Sequence, residues 1–245
     1  MLDYDREADC YDATRGGQVR ADAAADALDW LFGPTVRQVL DVGAGTGIVS
    51  AALAATGKTV YGADASAGML RLAAGRLPGR RMCADVTRLP VRDGMFDGVF
   101  VMWLLHLVRD SAGAVAECVR VLRPGGLFVT SVEVHSTHQR VASDVTEILM
   151  RYAKPGWQDR ERDRRDKVVA AADAAGARYA GETTYVGHGR GMVPAHVARE
   201  MADGMVPIGR LDDDAKAACV RELEALPDQT ARRPDPVYTL VAFVA

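Results

Sequence analysis

The sequence predicts an α/β domain in which a mostly parallel sheet carries helices on both faces. Between residues 36 and 132, short runs rich in β-branched residues alternate with stretches of helical periodicity, the pattern of parallel strands joined by crossover helices. The first of these runs stops at a glycine-rich turn. The chain has 245 residues, of which 49% are hydrophobic and 26% charged, which suits one globular domain rather than two.

The first predicted element is an amphipathic helix over residues 18–32. Its apolar side chains recur at helical spacing, aspartates occupy the opposite face, and Gly33-Pro34 ends the helix. The face predicted to be buried comprises Val19, Ala23, Ala27, Trp30 and Leu31.

Strands and helices then alternate as far as residue 132. A helix follows the glycine turn and ends near residue 55, and two more are predicted over 66–76 and 112–122. Because open α/β sheets bind ligands at the carboxyl ends of their strands, we expect a site at that edge. The strands are predicted over residues 36–42, 59–63, 81–84, 96–103 and 127–132.

The second half of the chain is predicted to be a largely helical excursion. Residues 159–167 are nine consecutive charged residues, which we expect to form a solvated helix face or loop, with a recognition patch as the less favoured alternative. The final apolar run, 237–244, predicts a closing strand. Between residues 141 and 226 the periodicity predicts helices near 141–152, 168–175, 194–202 and 212–226, and a strand over 179–187.

Composition excludes several classes of function. The net charge of −3 provides no overall field for nucleic acid, and no apolar run approaches the ~20 residues that a membrane span requires. With no apolar signal segment at the start, the protein is expected in the cytoplasm. Structural zinc and disulfides are not expected, because no pair of cysteines has ligand spacing. The cysteines are Cys10, Cys83, Cys118 and Cys219.

The glycine turn predicts a nucleoside site. A strand ending in Asp41 opens into Gly43-x-Gly45-x-Gly47, so backbone N–H groups converge at a helix start with no Cβ in the way. Ile48 stands where the dinucleotide fingerprint needs a small residue, which disfavours a pyrophosphate. The second strand ends in Asp64, whose carboxylate can accept hydrogen bonds from both ribose hydroxyls.

Four motifs in order carry a family resemblance over about residues 10–132. Together they resemble the class I S-adenosylmethionine-dependent methyltransferases, and the Tyr11-Asp12 pair is similar to their small-molecule, UbiE-like (type 11) branch. The motifs are VLDVGAGTGI at 39–48, GADAS at 62–66, the third-strand segment with ADV at 84–86, LP at 89–90 and FD at 96–97, and RVLRPGGL at 120–127.

The resemblance implies a fold, a cofactor and a division of the chain. The fold would be Rossmann-like, with a seven-stranded mostly parallel sheet, an antiparallel last strand and helical lid insertions. The cofactor would be S-adenosyl-L-methionine, released as S-adenosyl-L-homocysteine. The single domain would comprise lid helices at 1–38, a cofactor-binding core at 39–133, a substrate-side excursion at 134–236 and the last strand at 237–245.

The resemblance also implies roles for individual residues. Asp41 would orient the amino end of the cofactor or brace the turn, Asp64 would bind ribose, and Asp85 with the Val86 N–H would bind adenine. In the N-terminal segment, Tyr11 would close the lid and Arg15 would pair with the methionine carboxylate. The remaining cofactor contacts would come from Gly43, Gly45, Gly47, Ala65 and the backbone of Met102.

The acceptor is expected beyond the strand ends, with His106 as the candidate general base. Trp103 would form a pocket wall, and Glu133 and His135 share the same edge of the sheet. No metal site is expected, since His135-x-x-His138 lacks a third ligand. A base is needed only for an acceptor that is protonated near neutral pH, so oxygen, nitrogen and carbon acceptors all stay open.

The function expected is methyl transfer to a small molecule, with a specialised metabolite among the acceptors considered. The chain reads VMWLLH at 101–106, where enzymes of this family that methylate DNA bases carry Asn/Asp-Pro-Pro-Tyr/Phe. In-line displacement of a sulfide needs alignment more than acid catalysis. The alternatives are a nicotinamide-dependent oxidoreductase and a non-catalytic S-adenosylmethionine-binding protein. The sequence leaves open whether the protein is a monomer or a homodimer.

Overall fold

Seven strands form one mixed sheet in the computed structural model, which describes residues 11–245 apart from the side chains of 159 and 160. The strand order is β3-β2-β1-β4-β5-β7-β6. Strands β1 to β5 pair in parallel, whereas β7 runs antiparallel to both β5 and β6. The strands are β1 (Gln38–Val42), β2 (Thr59–Asp64), β3 (Arg81–Cys83), β4 (Phe96–Val101), β5 (Leu122–Val132), β6 (Arg178–Val186) and β7 (Val237–Val244). This arrangement confirms the predicted fold class.

Helices cover both faces of the sheet and build a third layer above its carboxyl edge. α1 and α2 pack on one face, α4 and α7 pack on the other, and α6, α8 and α9 share a separate apolar cluster. The helices are α1 (Gly17–Phe32), α2 (Ile48–Ala54), α3 (Ala67–Leu72), α4 (Ser111–Arg120), α5 (Val134–Gln139), α6 (Asp144–Tyr152), α7 (Arg165–Ala174), α8 (Pro194–Ala202) and α9 (Asp213–Glu224).

The buried face of α1 differs from the predicted one. Val19 and Trp30 are 61% and 69% exposed, whereas Leu28 and Phe32 are buried against the sheet. Small residues next to them, including Ala21 and Ala24, let the helix approach closely. The sequence prediction gave weight to the bulk of Trp30, but the close packing of alanines sets the orientation of the helix.

Two strand ends also differ from prediction, and both differences lie around the site. β4 ends at Val101 instead of 103, because Trp103 takes a left-handed conformation with φ of +52°. β5 begins at Leu122 instead of 127, and its pairing with β4 shifts register between Phe96 and Gly98. The tail of the predicted helix 112–122 thus belongs to the sheet.

The charged run 159–167 is not a solvated face throughout. Asp163 is fully buried and Glu161 is 8% exposed. Asp163 accepts a hydrogen bond from the Val134 N–H at 2.9 Å, and its carbonyl accepts one from the Glu133 N–H at 2.9 Å. The segment is therefore hydrogen-bonded to the start of α5. The prediction that the run is solvated was wrong at Glu161 and Asp163.

Within residues 11–245, no helix combines the length and the apolar character needed to cross a membrane. The described cysteines are free thiols, with Cys118 and Cys219 buried and Cys83 exposed. Cys10 and the first residues of the predicted lid lie outside the described residues.

Candidate cofactor and acceptor site

The glycine turn lies at the carboxyl end of β1, as the sequence predicts. Gly43, Gly45 and Gly47 all have positive φ, at 82°, 54° and 72°. A Cβ on Gly43 would lie 2.7 Å from a methyl carbon of Leu104, whereas nothing lies within 4 Å of the Cβ position of Gly45. The turn is thus closed on the side of Leu104 and open beside Gly45.

The carboxylate of Asp64 is held beside this turn. One of its oxygens accepts a hydrogen bond from the Gly45 N–H at 2.7 Å, and the other accepts one from the Ser66 N–H at 2.8 Å. Ser66 in turn caps α3, since its hydroxyl accepts a hydrogen bond from the Met69 N–H at 3.1 Å. The strand-tip carboxylate and the glycine turn therefore form one unit.

Asp41 lies behind the turn, fully buried. Desolvation raises its pKa to about 7, and the hydroxyl of Ser50, which donates a 2.5 Å hydrogen bond, opposes part of that rise. The negative charge of nearby Asp64 contributes further to the high pKa. Of the two roles predicted for Asp41, this contact with α2 corresponds to bracing the turn.

The N-terminal segment is tied directly to the glycine turn by Asp12. Its carboxylate accepts a 2.6 Å hydrogen bond from the Thr46 hydroxyl and lies 2.7 Å from Nη1 of Arg76. The same Arg76 nitrogen donates to the Thr46 carbonyl at 2.9 Å. Arg15 lies nearby with its guanidinium carbon 5.3 Å from the ring centroid of Tyr11. Asp12 therefore joins the N-terminal segment to the glycine turn.

The predicted adenine residues lie at the end of β3. Asp85 is exposed, and one of its oxygens accepts hydrogen bonds from both the N–H and the hydroxyl of Thr87, each at 2.8 Å. These bonds lower the pKa of Asp85. Val86 packs against the core, and the Ala65 carbonyl accepts a weak hydrogen bond from the Cys83 thiol at 3.8 Å.

A pair of histidines stands beyond β4 and β5. The rings of His106 and His135 meet edge to face with centroids 4.6 Å apart, and Nδ1 of His106 lies 4.0 Å from Asp163. Burial, followed by the charges of His135 and Arg15, lowers the pKa of His106 to about 3. Burial also lowers the pKa of His135. Both rings are therefore neutral near pH 7.

These histidines form the floor of a cavity of about 800 Å³ between the sheet edge and the α6–α8–α9 layer. Trp157 and Glu161 also line it. One carboxylate oxygen of Glu161 accepts a hydrogen bond from Ser136 at 3.0 Å, whereas the other is buried without a partner among the described residues. Basic residues stand around the mouth, namely Lys154, Arg210 and Lys216.

Trp103 and Glu133 lie at the same edge of the sheet, but their side chains do not line this cavity. The Trp103 ring packs under Arg20, and Glu133 forms an ion pair with Arg140 at 2.6 Å. His138 turns away from His135, with its Nε2 2.9 Å from the hydroxyl of Tyr238. Among the described residues, no group of three potential metal ligands comes together.

Sequence reasoning missed three residues near this edge: Arg20, Glu161 and Asp163. The last two belong to a charged run that contains no signal of burial. Arg20 does carry a weak signal, because it lies four residues before Ala24 on the same helical face.

The strands that form this edge of the sheet match a known protein family. Residues 40–130, from β1 to β5, match the family described as a methyltransferase domain. This part of the chain is similar to a methyltransferase domain. The match confirms the family predicted from the four motifs, and with it S-adenosylmethionine as the cofactor.

Curated relatives match less than half of this chain. A demethylmenaquinone methyltransferase of Mycolicibacterium vanbaalenii is 39% identical over 115 residues, which cover 46% of this chain and 50% of the relative. One from Clavibacter sepedonicus is 44% identical over 96 residues, covering 38% and 39%. The chain therefore spans about half the length, or less, of these two curated relatives.

Solved structures share the fold of this chain over nearly its full length. The [4+2]-cyclase SpnF is 21% identical with a TM-score of 0.63, covering 98% of this chain and 93% of its own. A protein described as a methyltransferase from an antibiotic biosynthesis pathway of Anabaena variabilis is 18% identical with a TM-score of 0.62, covering 95% and 99%.

The residues present fit the cofactor. The open side of the turn at Gly45 leaves room beside backbone that carries no side chain, and the carboxylate of Asp64 stands next to it. A Cβ at Gly45 would touch nothing within 4 Å, so the space beside the turn is not filled by packing.

Proposed function

We propose that this protein transfers a methyl group from S-adenosylmethionine to a small-molecule acceptor held in the 800 Å³ cavity. The observation that carries the proposal is the position of the cavity, whose floor is His106, five residues beyond the end of β4 and next to the proposed cofactor edge. When bound, the cofactor supplies an electrophilic methyl group on a sulfonium, and a neutral sulfide leaves.

The protein's own contribution is to hold and orient the two substrates. The glycine turn and Asp64 would bind the cofactor's methionine and ribose parts, Asp85 and the Val86 N–H its adenine, and the segment carrying Asp12 would cover it. Positioning of this kind accounts for much of the rate in a displacement that needs no acid.

His106 is better suited to orient the acceptor than to deprotonate it. With a pKa of about 3, accepting a proton from a phenol of pKa ~10 would be uphill by roughly 10 kcal/mol. A neutral imidazole still accepts a hydrogen bond, and the unpartnered oxygen of Glu161 is a second acceptor in the same cavity. Two hydrogen-bond acceptors without a strong base favour a neutral amine or heteroaromatic nitrogen as the nucleophile.

Two other acceptor classes have specific support. The curated relatives are named for demethylmenaquinone, which favours a quinone-type acceptor. The structural neighbour from an antibiotic pathway favours a specialised metabolite. The cyclase with the same fold shows why methyl transfer itself has to be tested.

Isothermal titration with S-adenosylhomocysteine tests the cofactor site. We expect binding by the wild type and at least tenfold weaker binding by Asp64→Ala, whereas exposed Asp26→Ala in α1 should bind like the wild type. No binding at millimolar ligand, or undiminished binding by Asp64→Ala, contradicts the assignment.

Incubation with S-adenosylmethionine and a metabolite extract tests the reaction, with products detected as a gain of one methyl mass. We expect methylated amines or nitrogen heterocycles. Methylated hydroquinones would support the quinone alternative, and a persistent blank despite cofactor binding would favour a non-catalytic binding protein.

A further inference from the structure

A buried arginine stands beside the cofactor edge among aromatic rings. Arg20 of α1 is 6% exposed, and its guanidinium carbon lies 3.4 Å from the ring centroid of Trp103 and 5.5 Å from that of Tyr238. Tyr185 packs on both rings, at centroid distances of 6.4 and 5.6 Å. We call these four residues the arginine–aromatic cluster.

The charge of Arg20 has no carboxylate partner among residues 11–245. Within this described part of the chain, its side chain makes one hydrogen bond, from Nη1 to the carbonyl of Arg15 at 2.8 Å. Desolvation lowers its pKa, and the positive charge of Arg190 acts in the same direction. Burying an uncompensated charge costs more free energy than stacking on an aromatic ring returns. The environment of Arg20 therefore suits an anionic ligand.

A second buried guanidinium near Arg20 is also incompletely bonded. The Nε atoms of Arg20 and Arg190 make no hydrogen bond with the described part of the chain, whereas the Trp103 indole N–H has the Tyr185 hydroxyl as a partner. Guanidinium nitrogens donate, so the ligand that they suit presents acceptor oxygens and a negative charge. A planar carboxylate matches the fork of a guanidinium.

The position of the cluster identifies which carboxylate it suits. Trp103 directly follows Met102 at the end of β4, and its N–H donates to the Ser131 hydroxyl at 2.9 Å, which fixes the strained backbone there. The next residue, Leu104, closes one side of the glycine turn at Gly43. The cluster is thus linked, through consecutive residues, to the turn proposed to hold the methionine part of the cofactor.

We propose that Arg20 binds the carboxylate of the amino-acid part of S-adenosylmethionine, which rests on the function proposed above. The sequence assigned this role to Arg15, whose guanidinium instead lies over the Tyr11 ring. Arg20 is then a specificity residue, because it distinguishes the complete cofactor from adenosine compounds that lack the carboxylate.

The test is a thermodynamic cycle by isothermal titration. The two probes are S-adenosylhomocysteine and S-adenosyl-3-thiopropylamine, which keeps the nucleoside, the thioether and the amine but lacks the carboxylate. For Arg20→Gln we expect about 100-fold weaker binding of S-adenosylhomocysteine and less than threefold change for the decarboxylated probe. Arg20→Lys keeps the charge without the fork, and we expect about a tenfold loss.

The outcomes separate this proposal from the proposed function. Equal weakening of both probes in the Arg20 variants would overturn it, because Arg20 would then only support the fold. Unchanged binding of S-adenosylhomocysteine would also overturn it and would leave a carboxylate on the acceptor as the partner. If the wild type binds neither probe, the cofactor assignment itself fails and this proposal with it. Arg37→Gln, an exposed arginine just before β1 at the opposite edge of the sheet, serves as the matched control, with less than a threefold effect expected.

Discussion

His138 illustrates how position rather than residue type sets protonation in this protein. Burial is the main cause that lowers its pKa to about 3, and the positive charges of Arg190 and Arg20 lower it further. Its Nε2 pairs with the hydroxyl of Tyr238 at 2.9 Å, beside the arginine–aromatic cluster. The imidazole of His138 is therefore neutral near pH 7 in the folded protein.

We expect the pH dependence of stability to weaken in His138→Gln. The unfolded chain takes up a proton on His138 near pH 6.5, whereas the folded protein does so only near pH 3. Its stabilising contribution is therefore complete above pH 6.5 and is lost as the pH falls, by about 1.4 kcal/mol per pH unit. Urea unfolding of both proteins between pH 6.5 and 4.5 measures this, and parallel profiles would contradict the low pKa of His138.

Residue roles were predictable where backbone geometry selects the residue type. The three glycines at 43, 45 and 47 indicated a turn with positive φ. An acidic residue at the end of the second strand indicated Asp64. Arg20 could not be assigned in this way, because its neighbours Trp103 and Tyr238 lie far along the chain. Its burial arises only when α1 packs on the sheet.

At the scale of elements, the segment 159–167 combines a solvated and a buried part. Asp163 is buried and bonded to the first N–H of α5, whereas Asp166 pairs with Arg164 near the surface at 2.9 Å. Desolvation raises the pKa of Asp163. A run of alternating charges can therefore contain a buried residue, here Asp163, that hydrogen-bonds to the start of the following helix, α5.

Asp163→Ala is expected to destabilise the fold by about 1–3 kcal/mol. The substitution leaves the buried Val134 N–H without its acceptor at the N-terminus of α5. Asp166→Ala in the same run is the control, with a change within about 0.5 kcal/mol because its side chain is 64% exposed. Urea denaturation measures both, and equal losses would show that the run acts only through its overall charge.

The type and order of the elements followed from periodicity, while several boundaries and one face did not. Strand β5 begins five residues earlier than predicted, at Leu122, because pairing with Phe96 draws in the segment with Pro124 and Gly125. The orientation of α1 depends on how closely alanines approach the sheet, which periodicity does not report.

At the scale of the whole molecule, the N-terminal segment connects distant parts of the fold. Asp12 holds Thr46 and Arg76 in the cofactor half, and the Thr14 carbonyl accepts a 3.3 Å hydrogen bond from Arg190, which follows β6. The segment therefore joins the glycine turn to the loop that follows β6.

Asp12→Ala is expected to loosen this segment without unfolding the protein. The ion pair with Arg76 is partly exposed, so the free energy of unfolding should change by less than about 1 kcal/mol. Amide exchange at residues 11–16 should speed up, and S-adenosylhomocysteine should bind roughly three- to tenfold more weakly. Hydrogen exchange followed by mass spectrometry measures the first effect, and titration the second.

Asp22→Ala is the matched control, because this exposed residue of α1 has Gln18, at 2.7 Å, as its one hydrogen-bond partner in the described chain. Wild-type exchange and affinity are expected there. Loss of stability in Asp12→Ala comparable to that in Asp163→Ala would show that Asp12 supports the core rather than the covering segment.

The sequence by itself determined the strand–helix alternation, the glycine turn, Asp64 and the family, because each depends on local backbone geometry or on contiguous motifs. Only the tertiary structure decided that Arg20 is buried with no carboxylate partner in residues 11–245, that Glu161 and Asp163 lie under α5, and that His106 faces a cavity. These properties depend on contacts between segments far apart in the chain, and burial, which sets both their charge and their partners, is fixed only when those segments pack.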